Sequence, residues 1–189
     1  NLFCTNDGQI KVLDFGLVSR PKENSDLTAF GSFMGTMDYI APEQAENASL
    51  ATHQSDLYSL GCTLIFLLTS QPPFPDSIYP TSVMKLRGHL TVDPSWEDRA
   101  AGTVPDRVSL IVKRMMAKNR DERFASCDEV ANATLSIADP SELKRWITEN
   151  ATILPIHRHM PNRNSLNATP SNSRLIKGAV LAVASMSLI

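Results

Sequence analysis

The sequence predicts a mainly α fold that opens with a short β-hairpin. Three observations lead there. Short apolar runs flank a turn at Asn6-Asp7-Gly8, a long stretch without hydrophobic period follows, and after it only helical patterns occur. With 189 residues, 42% of them hydrophobic and 20% charged, the chain can build one domain with a real core and carry a tail.

Leu2 to Cys4 and Gln9 to Leu13 read as the two hairpin strands. Arg20 to Met34 mixes Ser, Thr, Gly, Lys and Glu and reads as a loop, longer than mere connection needs. Pro42 suits the first position of a short helix through about Glu46, because its missing N–H is one of the helix's orphans anyway. Leu57 to Leu68 is nearly unbroken apolar sequence, too short for a bilayer and so a buried core helix, with Ser55 and Asp56 as capping candidates. The prolines of Gln71-Pro72-Pro73-Phe74-Pro75 stop it. Helices are expected over Thr81 to Leu90 and Asp106 to Ala117, the latter with an apolar stripe of Val108, Ile111, Val112, Met115 and Met116. Ser126 with Glu129 forms a capping box for a helix to about Ala138, and Ser141 to Glu149 reads as a last short helix with Leu143, Trp146 and Ile147 inward.

A net charge of −2 gives no basic footprint, so nucleic acid is not an expected partner. Cys4, Cys62 and Cys127 are odd in number and widely spaced, which favours a reducing interior over a disulfide framework. His53, His89, His157 and His159 do not cluster at metal-ligand spacing and read as solvent-facing or helix-end residues. No signal peptide opens the chain.

Asn1, then Asp14-Phe15-Gly16 thirteen positions later, then Ala41-Pro42-Glu43 resemble in order and separation the signature set of protein kinases. The resemblance covers Asn1 to about Ile137 and implies the C-terminal lobe of a kinase, without the N-terminal lobe: hairpin, activation segment, helical bundle. It implies that Asp14 and Asn1 bind the Mg2+ (or Mn2+) that bridges the phosphates of ATP. One carboxylate and one amide oxygen suit that hard cation. Gly16 would let the chain turn beyond Asp14. The family's catalytic Asp would lie five positions before Asn1, so the 189 residues alone are expected to be inactive.

Gly35-Thr36-Met37-Asp38-Tyr39-Ile40-Ala41-Pro42-Glu43 resembles the Ser/Thr-kinase form of the activation-segment end, where a peptide substrate docks. Thr36 inherits a catalytic role there, its hydroxyl bonding the catalytic Asp and a nearby Lys. Lys118-Asn119-Arg120-Asp121-Glu122-Arg123-Phe124 resembles the stretch that supplies an Arg to pair with the Glu of Ala-Pro-Glu, so Arg123 and Glu43 are expected to form a buried strut. Asp121 and Glu122 stand where a Pro-containing turn is usual. Asp56-Leu57-Tyr58-Ser59-Leu60-Gly61 resembles the start of the central helix, whose Asp accepts bonds from the catalytic loop or else caps its own helix. Ser32, eleven residues before Glu43, and Thr28 are candidate phosphorylation sites. With no helix ahead of Asn1 to pack on the central one, Leu57, Leu64, Ile65 and Leu68 are expected to lose cover, leaving a poorly soluble, loosely packed chain.

Three regions follow: a kinase lobe over 1–150, a polar basic juxtamembrane linker over 151–177, and 178–189, whose 12 residues carry no charge and read as the start of a transmembrane helix or else as a short helix packing on the domain. The layout resembles that of bacterial receptor-type Ser/Thr kinases, with the kinase domain cytoplasmic and the parent a single-pass membrane protein. The implied activity is transfer of the γ-phosphate of ATP to Ser or Thr of a protein substrate. A pseudokinase scaffold, binding partners without chemistry, is the alternative.

Overall fold

The computed structural model describes residues 2–5, 9–12, 37–100, 104–135, 137 and 145. The expected loop from Arg20 to Met34, most of the helix expected over Ser141 to Glu149, the linker and the apolar tail lie outside them.

The hairpin pairs β1 (Leu2–Cys4) with β2 (Ile10–Val12) antiparallel, Phe3 facing Lys11 in the register. Beyond the ladder, Thr5 and Gln9 close the neck: the Thr5 N–H donates to the Gln9 carbonyl at 2.8 Å, and the Thr5 hydroxyl accepts from the Gln9 N–H at 3.0 Å.

All remaining described elements are helical. Helix α1 (Pro42–Glu46) begins on its proline, and the Gln44 side chain reaches back to the Ala41 N–H at 3.2 Å. A 3-10 turn, Ala48–Leu50, leads to the central helix α2 (His53–Thr69). Neither Ser55 nor Asp56 opens α2, which starts earlier with Thr52 as its N-cap residue. Ser55, three residues on, accepts the Thr52 N–H on its hydroxyl at 3.0 Å and so draws the polar stretch before Leu57 into the helix. Ser70, in the left-handed conformation at φ 59°, ends it ahead of the prolines.

Helix α3 (Ser82–Thr91) is capped by Thr81, whose hydroxyl accepts from the Met84 N–H. A 3-10 turn at Glu97–Ala100 precedes α4 (Asp106–Met115), another at Arg120–Glu122 follows it, and α5 (Cys127–Leu135) completes the body. Ser126 accepts the Glu129 N–H at 3.2 Å, while the Glu129 carboxylate returns to the Ala125 N–H, one residue short of the usual box.

Helices α2 and α4 form the core contact. It brings Leu57, Cys62, Ile65 and Leu68 against Val108, Val112 and Met115, with Trp96, Phe124 and Val130 filling the flanks. Gly61 allows the close approach, since a Cβ there would sit 2.8 Å from Met116 Cγ and 3.1 Å from Met115 Cβ. The expected loss of cover on α2 does not occur. Leu57, Leu64, Ile65 and Leu68 are all buried, because the side chains of α4 and its flanks already reach around the helix.

Candidate functional site

The described part of the site is the segment Met37–Glu43 and the three places where it is fastened to the helical body. The first is at Glu43. Pro42 as the opening residue of α1 turns the Glu43 side chain inward, where Oε1 accepts from the Ser55 hydroxyl at 2.7 Å and from Arg123 Nη1 at 2.7 Å. Oε2 accepts from Arg123 Nη2 at 2.8 Å, so the pair is bidentate. Nε of Arg123 donates to the Ala117 carbonyl at 2.8 Å, Nη1 also to Gln54 at 2.9 Å, and Nη2 also to Lys118 at 3.3 Å. All five N–H groups of the guanidinium thus have acceptors, which is the condition for burying this cation without a large penalty. The Tyr58 ring lies 4.9 Å from the guanidinium carbon.

Burial pushes the Glu43 carboxyl up, but the bonds from Arg123 and Ser55 outweigh it and hold the pKa below the usual carboxylate value. The loop that delivers Arg123 is shaped without a proline. Asn119 accepts the Asp121 N–H on its side chain at 3.1 Å and so starts the 3-10 turn. The first turn of α2 grips the same loop, through Gln54 to the Arg120 carbonyl at 3.1 Å and His53 to the Ala125 carbonyl at 3.0 Å.

The second fastening is the Ser59 hydroxyl, which donates to the Tyr39 carbonyl at 2.7 Å. The third lies on α3. Lys85 Nζ pairs with Asp38 at 2.5 Å and with Asp76 at 2.6 Å. His89, one turn on, is wholly buried between the Tyr58 and Phe74 rings, edge-on to both. This corrects the expectation of a solvent-facing histidine: it stands at the end of α3, but the rings of Tyr58 and Phe74, distant in sequence, enclose it.

A chain of hydrogen bonds runs from Lys118 through Tyr58 to His89. Lys118 Nζ donates to the Tyr58 hydroxyl oxygen at 3.3 Å and to the Gly88 carbonyl at 3.3 Å. The Tyr58 hydroxyl lies 3.0 Å from His89 Nδ1. Burial, with Lys118 and Lys85 adding to it, pushes the His89 pKa down to about 3, so the ring is neutral at pH 7. Burial likewise pushes Lys118 down to about 8.

Of the sequence-expected site residues, the structure brings Glu43 and Arg123 together. Asp56 is the fourth residue of α2, beyond the capping position, so the alternative in which it caps its own helix does not hold. Surrounding protein raises its carboxyl pKa, His53 partly countering, and among the described residues it accepts no hydrogen bond. Asn1, Asp14, Gly16, Thr28, Ser32 and Thr36 lie outside the described residues. Among the described residues no three His, Cys, Asp or Glu side chains gather to hold a metal ion, and no helix is long and apolar enough to cross a membrane. Sequence reasoning missed Lys85, His89 and Lys118. Only the four-residue spacing of Lys85 and His89 on a helical pattern hinted at a shared face.

Residues 1–135 match the protein kinase domain family. The chain is 31% identical over 131 residues to the serine/threonine-protein kinase PknB of Mycolicibacterium smegmatis, covering 69% of this chain and 20% of that protein. It is 31% identical over 161 residues to PknD of Mycobacterium tuberculosis, covering 82% of this chain and 23% of the relative. With PknH of Mycobacterium bovis the identity is 31% over 143 residues, 75% of this chain and 23% of the relative. The chain thus spans between a fifth and a quarter of the length of the curated relatives it matches. The mainly α body, the Glu43–Arg123 pair tying α1 to α2 and the loop after α4, and the match over residues 1–135 lead to one conclusion: the chain belongs to the protein kinase family, with bacterial serine/threonine kinases among its relatives.

Proposed function

We propose that this chain is the substrate-platform and metal-binding part of a protein serine/threonine kinase, in which the γ-phosphate of ATP passes to a Ser or Thr hydroxyl of a protein. The observation that carries the reading is the buried Glu43–Arg123 pair. It fixes the end of Met37–Glu43 against the helical body, with Asp38 and Tyr39 as the half-buried positions of that segment. Catalysis of this kind is mostly positioning and charge stabilisation, so a rigidly anchored platform is a contribution in itself.

Asp14 and Asn1 are assigned to the metal by their resemblance to the kinase motifs, and their oxygens, a carboxylate and a neutral amide, suit Mg2+ or Mn2+. Bound with ATP, that cation supplies neutralisation of the charge developing on the phosphates. Thr36 is assigned to orienting the reacting groups at the head of the platform, Gly16 to the turn beyond Asp14, and Ser32 or Thr28 to a regulatory phosphate. The reading extends to the tail, with 151–177 as a basic linker beside a membrane and 178–189 as the start of a membrane segment. Support for these assignments is the sequence alone.

The test is radiolabelled phosphate transfer to protein substrate by the longer kinase that carries these residues, with and without Asp14→Ala. The expected loss is roughly a hundredfold or more, while residues 1–189 alone transfer nothing. Equal rates with and without Asp14 contradict the metal assignment. A longer protein that binds partners but transfers no phosphate establishes the scaffold instead.

A further inference from the structure

The three fastenings of Met37–Glu43 are not alike, and the one on α3 has a feature the others lack. His89 Nδ1 lies 3.0 Å from the Tyr58 hydroxyl, while Nε2 is buried without a hydrogen-bond partner among the described residues. The backbone of Met37 and Asp38 lies close enough to that ring to favour its protonated form, as acceptors do. An orphaned polar nitrogen in a dry site is a standing cost, relieved as soon as a partner approaches. Four residues earlier on the same helix face, Lys85 already holds Asp38, and shares its charge with Asp76.

We propose that Lys85 and His89 are positioning residues for protein-substrate docking: α3 grips the platform through the Asp38 ion pair and through the buried His89 ring beside the Met37–Asp38 backbone. This rests on the kinase reading above. Lys85 has two carboxylates within reach, so the grip on Asp38 can loosen without stranding a charge, and Asp76 keeps Nζ neutralised meanwhile. The head of the platform is thus seated by α3 and its end by the Glu43 anchor.

The test has two arms. Amide exchange of residues 1–189 follows Met37–Ala41 against α4 as the internal reference. Lys85→Met, Asp38→Asn and His89→Leu are each expected to raise exchange at Met37–Ala41 roughly tenfold, about 1.4 kcal/mol, without changing α4. Lys85→Arg and His89→Gln, which keep a donor in place, stay near the wild type. Asp38→Asn, at a partly exposed position, serves if a core variant fails to fold.

In the longer kinase the first three variants are expected to raise KM for protein substrate roughly fivefold, about 1 kcal/mol, with KM for ATP unchanged. A merely structural role would lower the melting temperature and leave that ratio alone. Exchange at Met37–Ala41 that stays level with α4, or an unchanged substrate KM, overturns the proposal. A wild type that transfers no phosphate overturns the kinase reading and the substrate half of this proposal, and exchange alone then decides whether α3 holds the segment.

Discussion

Two charged contacts hold the same seven-residue segment at its opposite ends, and they are built on different principles. At Glu43 the partner cation is planar and fully enclosed, and each of its five N–H groups is matched. At Asp38 the cation is a point charge on a flexible stem, split between two carboxylates, one of which is 84% exposed. Geometry therefore fixes the first contact, while the second is free to exchange partners. The segment between them is thus held firmly at Glu43 and less firmly at Asp38.

Titrating His89 is the strongest way to break the adjustable end. Its pKa is lowered from 6.5 to about 3 by burial, so the unfolded chain binds a proton that the folded chain refuses. Stability from this group is full above pH 6.5 and falls as pH drops toward the folded value. Unfolding free energy should then decrease by about 1.4 kcal/mol per pH unit between pH 6.5 and about 4.5. Glu43, held below the ordinary carboxylate value, keeps its contribution above about pH 4.5 and loses it only at lower pH, so it does not confuse this window. Urea unfolding of wild type and His89→Gln checks it, since the slope should vanish in the variant. An equal slope in both would place the titration elsewhere.

The smallest effect comes from a pair outside both fastenings. Lys113 and Glu97 approach to 2.6 Å, but the lysine side chain is 61% exposed. Replacing Lys113 by Ala should change unfolding free energy by less than about 1 kcal/mol. A larger loss would mean that distance alone, not enclosure, decides the worth of an ion pair in this body.

The same contrast explains what the sequence made legible. Local chemistry announced α1 through Pro42 and the start of α3 through Thr81, because caps act within a turn. The start of α2 was misplaced, since the Ser55 hydroxyl serves Thr52 and Glu43 together, and that double duty depends on a residue twelve positions away. Arg123 lies 80 positions from Glu43, and only the order of motifs suggested joining them. No motif covers Lys85 or His89, and Lys118 only opens the stretch read for Arg123. Their character comes from Phe74, Tyr58 and Asp38, brought in from other parts of the chain, so a lone histidine in an unremarkable helix gave no sign of being buried and neutral.

The central claim is that the Glu43–Arg123 pair is an enclosed strut whose two halves have worth only together. The direct measurement is a double-mutant cycle by urea unfolding with Glu43→Gln, Arg123→Met and the double variant. Each single change should cost about 3–5 kcal/mol by stranding the remaining charge, and the double variant should cost no more than the worse single, giving a coupling of about 3 kcal/mol. Additive costs, or single losses below about 1 kcal/mol, would contradict the claim and leave the segment anchored by something else.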